Sequence, residues 1–227
     1  KDKGAESHKT GASLGQQERE IQAIIRAIKA ETKIPLCVKL TPEGGRQDIV
    51  AQACFEAGAD MVCGVANRLA LAAMRVDQPG KSTIALQDEQ GMYCMNSYWI
   101  KPLALRDVYM MRKKVGPQPA LLGTGGVTTW RDGVEMMMAG ADLVGFCSAT
   151  IIYGFSFFPE FFRGFKQYIQ EMGYKKPIDM RDKILPTIKS APELKIYEGY
   201  AKKKEDHLSA PCDYACPHHV PAQAYVR

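Results

Sequence analysis

Five short stretches of the 227-residue chain carry residue types that could do chemistry. Gly123-Thr124-Gly125-Gly126 follows an apolar run and precedes a helical pattern. Glycines let backbone N–H groups come close to a phosphate, and the following helix start adds a favourable dipole. A tight strand-to-helix turn without a ligand would use the same residues. The next apolar run ends Gly145-Phe146-Cys147-Ser148-Ala149, whose N–H groups and Ser148 hydroxyl could complete a phosphate cradle. Lys39 lies inside the apolar run IPLCVKL. An ammonium is costly to bury unpaired, so Lys39 either faces a ligand at a strand end or forms a structural ion pair. Asn67 ends the following run, as a ring- or substrate-binding amide or as a simple turn residue. The fifth stretch is Pro211-Cys212-Asp213-Tyr214-Ala215-Cys216-Pro217. A C-x-x-x-C pair cannot close a [4Fe–4S] cluster alone, because four thiolates are the usual complement. His218 and His219 beside it leave zinc open on composition.

The elements that must position these residues alternate. Helical spacing of Ile21, Ile24, Ile25 and Ile28 predicts a helix over 16–31. Apolar strands are expected at 34–40, 60–66, 119–125 and 142–149. Helices are expected at 47–57, 103–115, 129–139 and 158–172, with no clear periodicity over 68–98. Strands apolar on both faces, alternating with helices, imply a parallel sheet covered by helices. A closed (β/α)8 TIM barrel needs eight such units and about 250 residues. Four strands are half of one, with two open edges, so the chain reads as an α/β fold containing only the C-terminal half of a barrel. The Met136–Met138 and Met110-Met111 runs read as core packing, and the aromatic run Phe155–Phe165 as a helix on the barrel's outside.

Bulk composition narrows the classes. Hydrophobic content of 46% and charged content of 24% are those of a globular protein. The net charge of +5 is mild, and the runs Arg112-Lys113-Lys114 and Lys202-Lys203-Lys204 read as solvated helix faces, not a nucleic-acid surface. No apolar stretch is long enough for a membrane span, and the polar N-terminus lacks a signal-peptide core. Five of the seven cysteines (Cys37, Cys54, Cys63, Cys94 and Cys147) are scattered through mostly apolar runs and read as buried thiols in a reducing cytoplasm. Residues 1–172 form the expected partial barrel. Residues 173–209, rich in Pro and charge, form a linker with a short helix at 193–204. Residues 210–227 open a further domain.

The order of these motifs resembles a known family. ASLGQQEREIQAIIRAIKAETKIPLCVKLTP, DIVAQACFEAGADMVCGVANR, KPLALR and LLGTGGVTTWRDGVEMMMAGADLVGFCSA are similar to the dihydroorotate and dihydropyrimidine dehydrogenase flavoproteins, especially the FMN domain of the latter. The resemblance runs over about residues 11–155, with gaps in 69–98. It implies a (β/α)8 barrel holding FMN at its mouth, with Lys39 on the flavin ring and Asn67 at flavin and substrate. It also implies that Gly125, Gly126, Cys147 and Ser148 hold the FMN phosphate. Three departures stand out. The family's active-site Cys or Ser falls on Leu14, which cannot transfer a proton, so no catalytic acid is identified. The family's Gly-Gly-x-Ser-Gly loop reads Gly91-Met92-Tyr93-Cys94-Met95-Asn96-Ser97, and its Asn-Thr pair reads Asn67-Arg68.

The C-terminal stretch is similar to the start of the iron–sulfur and FAD module of the glutamate synthase small-subunit family. That resemblance implies cluster ligation by Cys212 and Cys216, in a module that takes electrons from NAD(P)H. Together they imply a flavin-dependent oxidoreductase acting on CH–CH groups of an unsaturated ring, fed through FAD and [4Fe–4S] clusters within an oligomer or larger complex. A non-catalytic FMN relay passing electrons to a protein acceptor, and a flavin-free phosphate-binding barrel, are the alternatives.

Overall fold

The structure is a computed structural model, and it describes residues 15–64, 67–84 and 91–194. The chain divides into two compact units, Lys1–Pro186 and Thr187–Arg227. The first is a mixed α/β unit. In chain order it contains α1 (Glu18–Glu31), β1 (Cys37–Lys39), α2 (Gln47–Glu56), β2 (Met61–Gly64), β3 (Arg68–Leu71) and β4 (Met92–Met95). These are followed by α3 (Lys101–Val115), β5 (Ala120–Thr124), α4 (Trp130–Met138), β6 (Leu143–Gly145), α5 (Ser148–Tyr153) and α6 (Phe157–Glu171). Of the second unit, the described part ends in a 3-10 turn at Ala191–Glu193, where Ser190 and Glu193 form a capping box. The remainder of the expected 193–204 helix, together with Cys212 and Cys216, lies outside the described residues.

Four strands form one parallel sheet in the order β1-β2-β5-β6. Period-two alternation gives this sheet two unlike faces. Val38, Val62 and Leu121 lie in register on one face, and the last two are fully buried under the helices. Burial of a Val or Leu side chain contributes roughly 1.5–3 kcal/mol, so this face carries the core with Val108, Met111 and Met136. The opposite face carries Cys37, Lys39, Cys63, Leu122 and Leu143. Cys37 and Lys39 are exposed on it, and Leu143 is 50% exposed. The exposure is at the edge strands β1 and β6, while Cys63 at the centre of that face is buried. The burial expected for all five thiols holds for Cys54 and Cys63 only; Cys37, Cys94 and Cys147 are exposed, two of them at strand positions outside the helix-covered core. Burial raises the Cys54 thiol to about 12, so it is inert at neutral pH.

Several boundaries differ from expectation for physical reasons. The apolar run 142–149 is a strand only to Gly145, and Ser148 already starts α5. Residues 68–98, without periodicity, hold an antiparallel ribbon pairing β3 with β4. Arg112 is not part of a solvated face: it is 1% exposed, while Lys113 and Lys114 are exposed. The Met136-Met137 pair is core, as is Met111, whereas Met110 is 38% exposed. Helix α6 packs on α4 so closely that a Cβ on Gly164 would lie 2.2 Å from the Trp130 ring. Residues 173–186, expected to begin the linker, belong to the first unit, with Met180 fully buried against Val134 and Met137.

Candidate cofactor site

Because the four strands run parallel, their C-terminal ends gather at one end of the sheet. Every described candidate residue belongs to that end. Lys39 is the last residue of β1, Asn67 follows β2, Gly125 and Gly126 follow β5, and Cys147 and Ser148 follow β6. Thr124 is paired with Gly145, so the two glycines and the Phe146–Ser148 turn leave neighbouring strands side by side.

Gly125 and Gly126 have φ of 116° and 75°. Two successive residues with positive φ are open to glycine and closed to most side chains. Gly126 is also sterically committed. A Cβ there would lie 2.7 Å from the backbone nitrogen of Lys101 and 2.8 Å from its Cα. Gly126 is buried, and without a Cβ it lets the loop pack directly on the Lys101 main chain, while Gly125 is half-buried. A tight glycine turn of this kind suits a group bound through N–H donors. Thr124 closes the strand below it, donating its hydroxyl to the Gly64 carbonyl.

Lys39 points to the sheet face it shares with Cys63, its register partner. Among the described residues no carboxylate lies within ion-pair distance of its ammonium, so a structural ion pair gains no support there. The Cys63 thiol is raised by burial, opposed by Thr124 and by the nearby Lys39 charge. Asn67 is half-buried, immediately before β3. Its neighbour Arg68 sends its guanidinium to Asp107 on α3, 2.6 Å away, and Gln47 of α2 donates to the same carboxylate oxygen at 3.0 Å. Asp107 is 6% exposed. This buried triangle moors the chain next to Asn67 and directs Arg68 to the helix layer.

The segment in place of the glycine-rich loop leads into this end as well. Asn96 and the Ser148 hydroxyl are 3.4 Å apart. Ser97 adopts φ 74° and ψ −163°, a region populated almost only by glycine, and its hydroxyl is buried without a partner among the described residues. Leu14 lies outside the described residues. Gly15 and Gln16, just after it, line a cavity of about 50 Å³ with Thr41, Gly44, Arg46, Gln47 and Val50.

The candidate residues thus lie at the loops that follow the strands of a parallel sheet, where α/β folds place their ligand sites. Residues 7–169 match the family described as dihydroorotate dehydrogenase. The chain belongs to that family. It is 35% identical, over 72% of its own length and 52% of the relative's, to the catalytic subunit of dihydroorotate dehydrogenase B (NAD(+)) of Pyrococcus furiosus. Identity to the same subunit of Thermococcus kodakarensis is 32%, with the same two coverages. It is 26% identical, over 74% of the chain and 41% of the relative, to the NAD-dependent dihydropyrimidine dehydrogenase subunit PreA of Escherichia coli K12. The chain spans about half the length of the curated relatives it matches. These relatives are oxidoreductases by name, and each is named as a subunit. No helix among the described residues is long and apolar enough to cross a membrane, and no group of three or more metal-ligating side chains occurs among them.

Proposed function

We propose that this chain is the C-terminal half of an FMN-binding (β/α)8 barrel in an oxidoreductase that acts on CH–CH bonds of a pyrimidine-like ring. The observation that carries this reading is the pair of positive-φ glycines at the strand ends, Gly125 and Gly126, the second held against Lys101, in a chain of this family. The exposed edge-strand residues Cys37, Lys39 and Leu143 on one sheet face support the half-barrel. So do Ile24, Ile28 and Ile34, 40–73% exposed on and after α1, the helix that leads into edge strand β1. An N-terminal half would cover them.

Bound FMN supplies the hydride chemistry. The residues of this chain bind and tune it. The N–H groups of Gly125 and Gly126, with those of Cys147 and Ser148, hold the phosphate. Lys39 sets a positive charge toward the ring, stabilising negative charge that develops there. Asn67 orients the ring edge and the substrate, from a position fixed by Arg68 and Asp107. Reduction of a ring also needs a general acid, and Leu14 cannot be it. Cys212 and Cys216 are two ligands of a [4Fe–4S] cluster in a following module. That module, or a partner subunit, passes electrons from NAD(P)H through FAD. A cytoplasmic location follows from this metabolic role and from the free thiols.

Leu14 favours a second reading, in which the barrel relays electrons through FMN to a protein acceptor without reducing a ring. The test is turnover of the full-length gene product on pyrimidines and their dihydro forms, with Lys39→Met beside it. The first reading expects turnover, with kcat falling about 100-fold in Lys39→Met while flavin content is retained. Absence of turnover on every ring, with rapid reduction by a partner flavoprotein, would establish the relay instead.

A further inference from the structure

Asp132, in the first turn of α4, is 6% exposed and carries more bonds than a helix cap needs. Its Oδ2 accepts from the backbone nitrogens of Thr128 and Thr129, at 2.9 and 2.7 Å, and from both hydroxyls, at 3.2 and 3.0 Å. Of these, the capping box accounts for the Thr129 backbone bond alone. Its Oδ1 accepts from Lys101 Nζ at 2.7 Å, and the same ammonium pairs with Glu135 at 2.9 Å. Lys101 is also the residue whose backbone abuts Gly126. A single carboxylate thus ties the far side of the glycine loop to the start of α3, and the ammonium that neutralises it belongs to the residue touching the loop.

We infer that Asp132 and Lys101 are positioning residues for the cofactor's phosphate. They do not touch it. Asp132 occupies the N–H groups of Thr128 and Thr129, which fixes the loop so that those of Gly125 and Gly126 remain for the ligand. Lys101 holds Asp132 in that pose, and its ammonium, shared with Glu135, offsets part of the carboxylate charge that would otherwise oppose a phosphate dianion across the loop. This inference rests on the FMN reading above. Its consequence is selective: the pair acts on the phosphate end of the flavin and leaves the ring end alone.

Riboflavin, which lacks the phosphate, separates this role from a merely structural one. Dissociation constants for FMN and riboflavin are measured by flavin fluorescence in the full-length apoprotein and in its Asp132→Asn and Lys101→Met variants. The expected result is that each variant weakens FMN by about tenfold or more, the scale of one lost charge-assisted hydrogen bond, while riboflavin stays within about twofold. Equal weakening of both flavins, or of neither, overturns the inference. If Asp132→Asn does not fold, Lys101→Met carries the test, since that side chain is 28% exposed. A wild-type protein that binds riboflavin as tightly as FMN would instead overturn the phosphate assignment itself.

Discussion

Gly126→Ala is expected to strip the protein of FMN. The new methyl group meets the Lys101 backbone at 2.7 Å, and main chain at the start of a 15-residue helix cannot yield as the end of a side chain can. The residue must also hold φ 75°. Strain at such a φ costs about 1–3 kcal/mol, and overpacking a similar amount. If about 2–4 kcal/mol of this falls on the bound form, affinity drops roughly 30- to 1,000-fold. Gly80→Ala is the control. Gly80 also has positive φ, 87°, but open space around its Cβ position. It should lose some stability and keep its FMN affinity. Fluorescence titration of the two variants against wild type decides the matter: equal affinities would show that the loop does not hold the phosphate.

The largest effect on stability is expected at the opposite end of the strands. Arg112 donates through Nε to the Gly140 carbonyl at 2.8 Å, and through one terminal nitrogen to the carbonyls of Gly116 and Pro119 at 2.7 and 2.8 Å. The other terminal nitrogen meets Asp142 at 2.5 Å. Asp142 also accepts from the Leu121 backbone at 2.8 Å and pairs with Arg181. The cluster thus joins the turns that precede β5 and β6 to the segment after α6, and it sets where both site-bearing strands begin. Arg112→Met leaves Asp142 and three carbonyls short of their donor in a buried setting. Breaking a buried pair on one side costs about 3–5 kcal/mol. For a domain of this size that lowers Tm by roughly 6–20 °C. Lys does not rescue it, because a point charge cannot serve four acceptors in a planar fork. A thermal melt within about 2 °C of wild type would show that the network contributes nothing net.

How much of this was legible in the sequence depended on whether the signal was local. The parallel strands were legible because helix-covered strands must be apolar, and Val38, Val62 and Leu121 are what fills that layer. The gathering of Lys39, Asn67, Gly125, Gly126, Cys147 and Ser148 at one end follows from parallel direction alone, once each is placed at a strand's end. The same apolarity misled at 142–149, since Phe146 to Ala149 leaves the sheet and enters the core through a helix start. The β3–β4 ribbon gave no signal, because its short strands are separated by some twenty polar and small residues and carry exposed apolar side chains such as Leu71 and Met92. Arg112 read as one of three surface cations, because the partners that bury it, Gly140 and Asp142, are about thirty residues away, and the nearer two, Gly116 and Pro119, are main-chain carbonyls that leave no side-chain pattern. The Asp132–Lys101 pair was invisible for the same reason, being 31 residues apart.

If the glycine loop of this chain holds the phosphate of FMN, the purified full-length protein carries that flavin. Its flavin content, released by acid and identified chromatographically, decides this. FMN is expected at close to one equivalent per chain. A colourless protein, or one whose flavin at this site is not FMN, would contradict it.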